Sequence, residues 1–186
     1  VDANHYSAVN MKIIIWTIII FVSMNSIVIY DFNKKSNLQG WTIVDDVVMG
    51  GDSSGSFTLN DDGHGVFEGR ISLNNNGGFS SVKYRFQKLA IEEFSKVIVK
   101  LRGDGKNYQF RVKANSQDKY SYIAPFSTTG EWQEIAFTFE EMYPSFRGRR
   151  LDQANFHEDS FEEITFLFGN KKEESFKLLI DNILLK

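Results

Sequence analysis

Cysteine is absent from the 186-residue sequence, which removes disulfide frameworks, thiolate metal sites and cysteine nucleophiles together. The absence leaves the compartment open. Histidine is nearly as scarce: apart from His5, only His64 and His157 could supply an imidazole base. A strong charge of one sign is missing too. With a net charge of −3 and a pI near 5.7, the chain has no global field to draw in nucleic acid. Only two prolines occur, and neither an internal repeat nor a low-complexity tract is found, which excludes a solenoid or a long linker. What the chain does carry is aromatic. Aromatics make up 15% of it and phenylalanine alone supplies 17 residues, enough for one well-buried core at this length.

Met11 and Lys12 precede IIIWTIIIFVS, an uncharged run from Ile13 to Ser23. A short basic start followed by such a stretch predicts a signal peptide over residues 11–26, with Ser23 or Ser26 before the cut. Continued through IVIY to Tyr30, the run reaches the length of a membrane anchor, and an uncleaved anchor is the alternative. Ile27 to Phe32 reads better as a first strand, so a single domain is expected over residues 27–186. Residues 1–10, ahead of Met11, are expected to be an over-called extension outside the fold. The expected location is exported, periplasmic or extracellular, or membrane-anchored through this segment alone.

From Gly65 onward the chain repeats short alternating segments at the two-residue period of a half-buried strand. Val82, Tyr84 and Phe86 share one face, as do Val97, Val99 and Leu101. Tyr108, Phe110 and Val112 alternate with Gln109, Arg111 and Lys113, giving one apolar face and one long polar face. Ile135, Phe137 and Phe139, then Ile164, Phe166 and Phe168, then Phe176, Leu178 and Ile180 repeat the pattern. Many short strands of this kind predict an all-β antiparallel sandwich. Glycine and asparagine clusters at residues 60–63, 74–78 and 103–105 supply the turns between them. One connection, Tyr143 to Ser160, reads as a long loop with room for a short helix, and it carries Arg147, Arg149 and Arg150 together.

The stretch GDSSG at residues 51–55 fits the G-x-S-x-G pattern of a hydrolase nucleophile turn. That turn must lead from a strand into a helix, whereas the residues after Gly55 read as a short strand and a turn. Ser53 is therefore not expected to be a nucleophile, and its loss is expected to leave function intact. Neighbouring acid pairs such as Glu92-Glu93 point to opposite faces of a strand and cannot flank a glycosidic bond. Asp45 and Asp46 differ, because they adjoin Val47, Val48, Met49, Gly50 and Gly51. There a carboxylate could pin the loop by accepting backbone N–H bonds, a role favoured over calcium, since only Asp52 is near in sequence to complete an oxygen shell. Arg102-Gly103-Asp104 spells an adhesion tripeptide, but Gly103, Asp104 and Gly105 read as a hairpin turn. Trp41, Tyr108 and Trp132 could stack on sugar faces, and the alternative assigns them to the core, Trp132 above all. No catalytic residue, metal or cofactor is expected.

Five ordered stretches, WTIVDDVVMGGDSSGSF, FEGRISLNNNGGFSSVKYRF, LRGDGKNYQFRV, EWQEIAFTFEEMYPSFRGR and FKLLIDNILL, resemble the complex I intermediate-associated protein family, whose namesake is an assembly factor of mitochondrial NADH:ubiquinone oxidoreductase. The resemblance covers residues from about Ile27 to Lys186. It implies a galactose-binding-like jelly-roll sandwich, without catalytic residues, related in architecture to carbohydrate-binding modules. It also implies that Trp41, Asp45, Asp46, Met49, Gly50 and Gly51 belong to one loop motif, with Gly77 and Gly78 in a second turn beside it. The expected function is a non-catalytic, chaperone-like module that binds a protein, such as a membrane-complex assembly intermediate. An exported carbohydrate-binding protein is the alternative. Arg147, Arg149 and Arg150 are the expected partner contacts.

Overall fold

Thirteen strands, all paired antiparallel, build the described residues 25–186 of the computed structural model. Residues 1–10, and all of the expected leader except Asn25 and Ser26, lie outside the described residues. In chain order the strands are β1 (Ile27–Asp31), β2 (Trp41–Asp45), β3 (Ser54–Leu59), β4 (Gly65–Arg70), β5 (Ser80–Ala90), β6 (Lys96–Arg102) and β7 (Asn107–Lys113). They continue as β8 (Ser121–Ser127), β9 (Gln133–Thr138), β10 (Tyr143–Phe146), β11 (Arg149–Arg150), β12 (Ser160–Phe168) and β13 (Ser175–Leu185).

One sheet runs β3-β4-β13-β6-β9, with β1 added beside β13; the other runs β11-β10-β8-β7-β12-β5-β2. The chain crosses repeatedly between them, which makes a jelly-roll sandwich. Alternation explains the core: Val97, Val99 and Leu101 of β6 and Phe110 of β7 are fully buried between the sheets. Rings bridge the two layers, Phe110 on Phe137 at 4.4 Å and Phe168 on Phe176 at 4.7 Å between centroids.

Four details depart from the sequence reading. Strand β8 was not anticipated, because Pro125 breaks its pattern; Pro125 pairs with Gln109 of β7 and lies beyond the stretch of β8 that β10 covers, where an absent N–H is harmless. The Gly103–Gly105 turn is not a hairpin, since β6 and β7 belong to different sheets. Tyr143 to Ser160 is a loop only over residues 151–159: before it, β10 and β11 form a tight hairpin whose turn residues, Arg147 and Gly148, take positive φ of 49° and 74°. Trp132 is not core. It lies half-buried against the His64 ring at 4.7 Å, with the Arg102 guanidinium 5.5 Å from its own ring.

Candidate functional site

At the end of β2 the chain leaves the sheet at Asp45, makes one 3₁₀ turn over Asp46–Met49, and reverses at Gly50, whose φ of 91° favours glycine. A second loop between β4 and β5 carries Asn75 and Asn76 at positive φ and Gly78 at φ 135°. Asp46 joins the two loops. Its carboxylate is fully buried. It accepts hydrogen bonds from the Ser53 N–H (2.9 Å), the Ser53 hydroxyl (2.5 Å), the Gly78 N–H (2.5 Å) and the Phe79 N–H (3.2 Å).

Burial alone would raise the Asp46 pKa. The Ser53 hydroxyl and the N–H donors of Gly78, Ser53 and Phe79 outweigh it and hold the carboxyl below its ordinary value. With its lone pairs taken by N–H and O–H donors, this carboxylate braces loops rather than offering itself to an ion. Gly51 and Gly77 are small for the same reason, because a Cβ on Gly77 would stand 2.6 Å from Asp46 Oδ2 and one on Gly51 would strike the carboxyl group. Gly51 therefore answers to close approach, and Gly50 to backbone conformation.

Asp45 accepts the Gly55 N–H at 3.0 Å through Oδ2. Its Oδ1, and the hydroxyl of Ser80 directly across the β2–β5 ladder, are buried without a hydrogen-bond partner among the described residues. Ser53 is buried as well. Besides donating to Asp46, its hydroxyl accepts the Ser72 N–H at 3.0 Å. These bonds give Ser53 a bracing role. Ser53→Ala is expected to destabilise by about 2 kcal/mol, since the Ser72 N–H and part of Asp46 lose their partners. A urea melt measures this, and an unchanged midpoint would remove the brace.

Fixing Asp46 inside turns the rest of its turn outward. Val47, Val48 and Met49 are 60%, 73% and 56% exposed, and the second loop adds Leu73 at 40%. The motif thus presents an apolar tip on a buried ionic anchor, a feature the sequence reading passed over. Trp41 and Tyr108 lie in the core, the latter donating its hydroxyl to Asp104 at 2.8 Å. Asp104 also accepts the Lys177 N–H at 3.1 Å, and Gly103 abuts Thr128, so this turn is internally committed. Arg147, Arg149 and Arg150 are exposed, far along the chain from the Asp46 motif. Arg147 lies over Phe146 at 5.3 Å and Arg150 over Tyr143 at 4.8 Å, and no ion pair joins any of the three to Asp152 or Glu158 among the described residues.

The family model for Complex I intermediate-associated protein 30 matches residues 30–180, which span the Asp46 motif, both loops and the arginine hairpin. The chain belongs to this family. Relatives include "Complex I intermediate-associated protein 30, mitochondrial" of Drosophila melanogaster, 22% identical over 158 residues, covering 73% of this chain and 53% of the fly protein. The mouse protein of the same name, from Mus musculus, is 24% identical over 180 residues, covering 84% and 55%. The chain thus spans about half the length of the curated relatives it matches. Among solved structures, the family 11 carbohydrate-binding module of Clostridium thermocellum cellulase Lic26A-Cel5E aligns with a TM-score of 0.64. Identity there is 15%, over 87% of this chain and 94% of the module. That likeness shows the sandwich fold alone. Both relatives are named as mitochondrial proteins, in tension with the export expected from the leader. No helix among the described residues is long and apolar enough to cross a membrane.

Proposed function

We propose that this domain is a non-catalytic binding module of the assembly-factor type, holding a protein partner at the rim where Asp46 joins the two loops. The observation that carries this reading is the exposed Val47-Val48-Met49 tip. Aliphatic side chains grouped on a water-facing loop are a feature of interaction surfaces. Because Asp46 already fixes both loops, docking need not order them, and less of the binding free energy is lost to entropy. The relatives' names supply the partner class, an intermediate of complex I. The binding rather than catalytic reading draws support from Ser53, whose hydroxyl is buried and engaged with Asp46.

Val48→Glu tests it, since a side chain 73% exposed can be replaced at little expense to the fold. Capture of complex I assembly intermediates by crosslinking is expected to fall about tenfold or more with the melting midpoint retained. Undiminished capture would place the interface elsewhere. The carbohydrate reading has support from the fold alone, and glycan-array binding by the wild type would favour it. For the compartment, the apolar leader supports export and the relatives' names a mitochondrion; fractionation with a C-terminal tag is the experiment that separates the two.

A further inference from the structure

We propose that the outer face of the seven-stranded sheet holds an anion-binding groove, centred on Arg111, that takes a carboxylate side chain from an acidic segment of a protein partner. It rests on reading the domain as a protein-binding module. The surface is a different one from the Asp46 rim.

Strand β7 sends Tyr108, Phe110 and Val112 into the core, so Gln109, Arg111 and Lys113 stand on the opposite face. The ladder sets Arg111 beside Thr165 of β12 and Ile123 of β8, Ile123 beside Tyr143 of β10, and Ser145 beside Arg150 of β11. These strands enclose a groove of about 300 Å³ lined by Gln109, Arg111, Ile123, Tyr143, Ser145 and Arg150. Its cationic floor is under-neutralised. Arg111 donates from Nε (3.1 Å) and Nη2 (2.6 Å) to the neutral amide oxygen of Gln109, and it makes no ion pair among the described residues.

The neighbouring rows add Lys83, Arg85 and Lys113 on the same face, against Glu163. That acid is itself buried and taken by Arg85 at 2.6 Å. A chain of net charge −3 has therefore gathered positive charge here. Burial pushes the Arg111 pKa down to about 10, and the half-buried guanidinium has no carboxylate paired with it among the described residues. An incoming oxyanion relieves that deficit.

The shape selects a carboxylate. Planar guanidinium forks on Arg111 and Arg150 match its two oxygens, and Ile123 with the Tyr143 ring, under Arg150 at 4.8 Å, gives an apolar wall for an aspartate or glutamate stem. A polyanion such as nucleic acid would need a long track of phosphate contacts on a chain that is net negative.

The test is fluorescence anisotropy of the full chain with a labelled Glu-Leu repeat octapeptide and its Gln-Leu counterpart. Saturable binding of the acidic peptide is expected, weakened by added salt, with none for the neutral one. Arg111→Met, which keeps an aliphatic stem, is expected to weaken binding about tenfold or more. Gln109→Glu gives Arg111 an internal carboxylate, and is expected to abolish binding while the melting midpoint holds or rises. Val48→Glu is expected to bind the peptide normally, which separates this groove from the rim. Undiminished binding by Gln109→Glu, equal binding of the neutral peptide, or inorganic phosphate binding more tightly than the acidic peptide would each overturn the assignment.

Discussion

Asp46→Asn is expected to destabilise the domain by about 3 kcal/mol, although the substitution preserves shape almost atom for atom. The site is built from donors alone: the Ser53 N–H and hydroxyl and the N–H groups of Gly78 and Phe79 converge on the two carboxylate oxygens. An amide replaces one acceptor oxygen by a second donor group, so part of that set faces an NH₂ in a fully buried position. Unsatisfied buried donors at about 1–3 kcal/mol each, together with loss of the charge they were arranged around, give the stated magnitude. In a domain of this size the melting temperature is expected to fall by about 10 °C. An unchanged midpoint would show that the loops are held by something else.

The same carboxylate gives a pH signature with a definite sign. Its folded pKa lies below the ordinary 3.8, so the unfolded chain takes up the proton first as pH falls. The stabilisation is complete above the unfolded value and is lost as pH drops through the lower folded one. Asp46→Asn should therefore flatten that part of the acid limb of stability against pH. Both loops should also become more open to proteolysis together, because one side chain ties them.

The strands were legible because alternation is a local property. Tyr108, Phe110 and Val112 declare the buried face of β7 whatever lies beside it, and the asparagines and glycines of residues 74–78 declare a turn by their tolerance of positive φ. Which sheet a strand joins is not local. The Gly103–Gly105 turn has hairpin chemistry, yet it leads from one sheet into the other, with Thr128 from a later part of the chain packed against Gly103. The β10–β11 hairpin was hidden because Arg147 occupies a left-handed turn position where asparagine or aspartate would have signalled it. Trp132 was readable and misread: directly ahead of β9, it keeps the two-residue phase of Glu134 and Ala136 and not that of Ile135 and Phe137. Asp46 stood out in the sequence, since a carboxylate among valines and glycines needs donors. The outward turn of Val47, Val48 and Met49 did not, because an apolar triplet reads as core until the buried neighbour is known.

Trp41→Ala is the second large effect, expected at about 4 kcal/mol. Trp41 opens β2 on the inner face and organises an aromatic cluster. It stacks on Tyr84 at 4.8 Å, lies 4.7 Å from Phe57, and meets Tyr30 and Phe32 at 5.4 Å each. The ring sits only two ladder pairs from Ile43 and four from Asp45, so it also positions the start of the Asp46 turn. Truncating a buried tryptophan removes its transfer free energy and leaves a cavity that surrounding rings fill only in part. The indole N–H, however, has no hydrogen-bond partner among the described residues, and that burial works against the fold. Trp41→Phe keeps much of the ring contact and deletes the unpaired donor, so its loss is expected to stay near 1 kcal/mol. The contrast between the two variants in urea melts is the measurement. Equal losses for Phe and Ala would mean that the N–H does find a partner in solution, and a small loss for Ala would mean that Tyr84 and Phe57 close over the gap without the tryptophan.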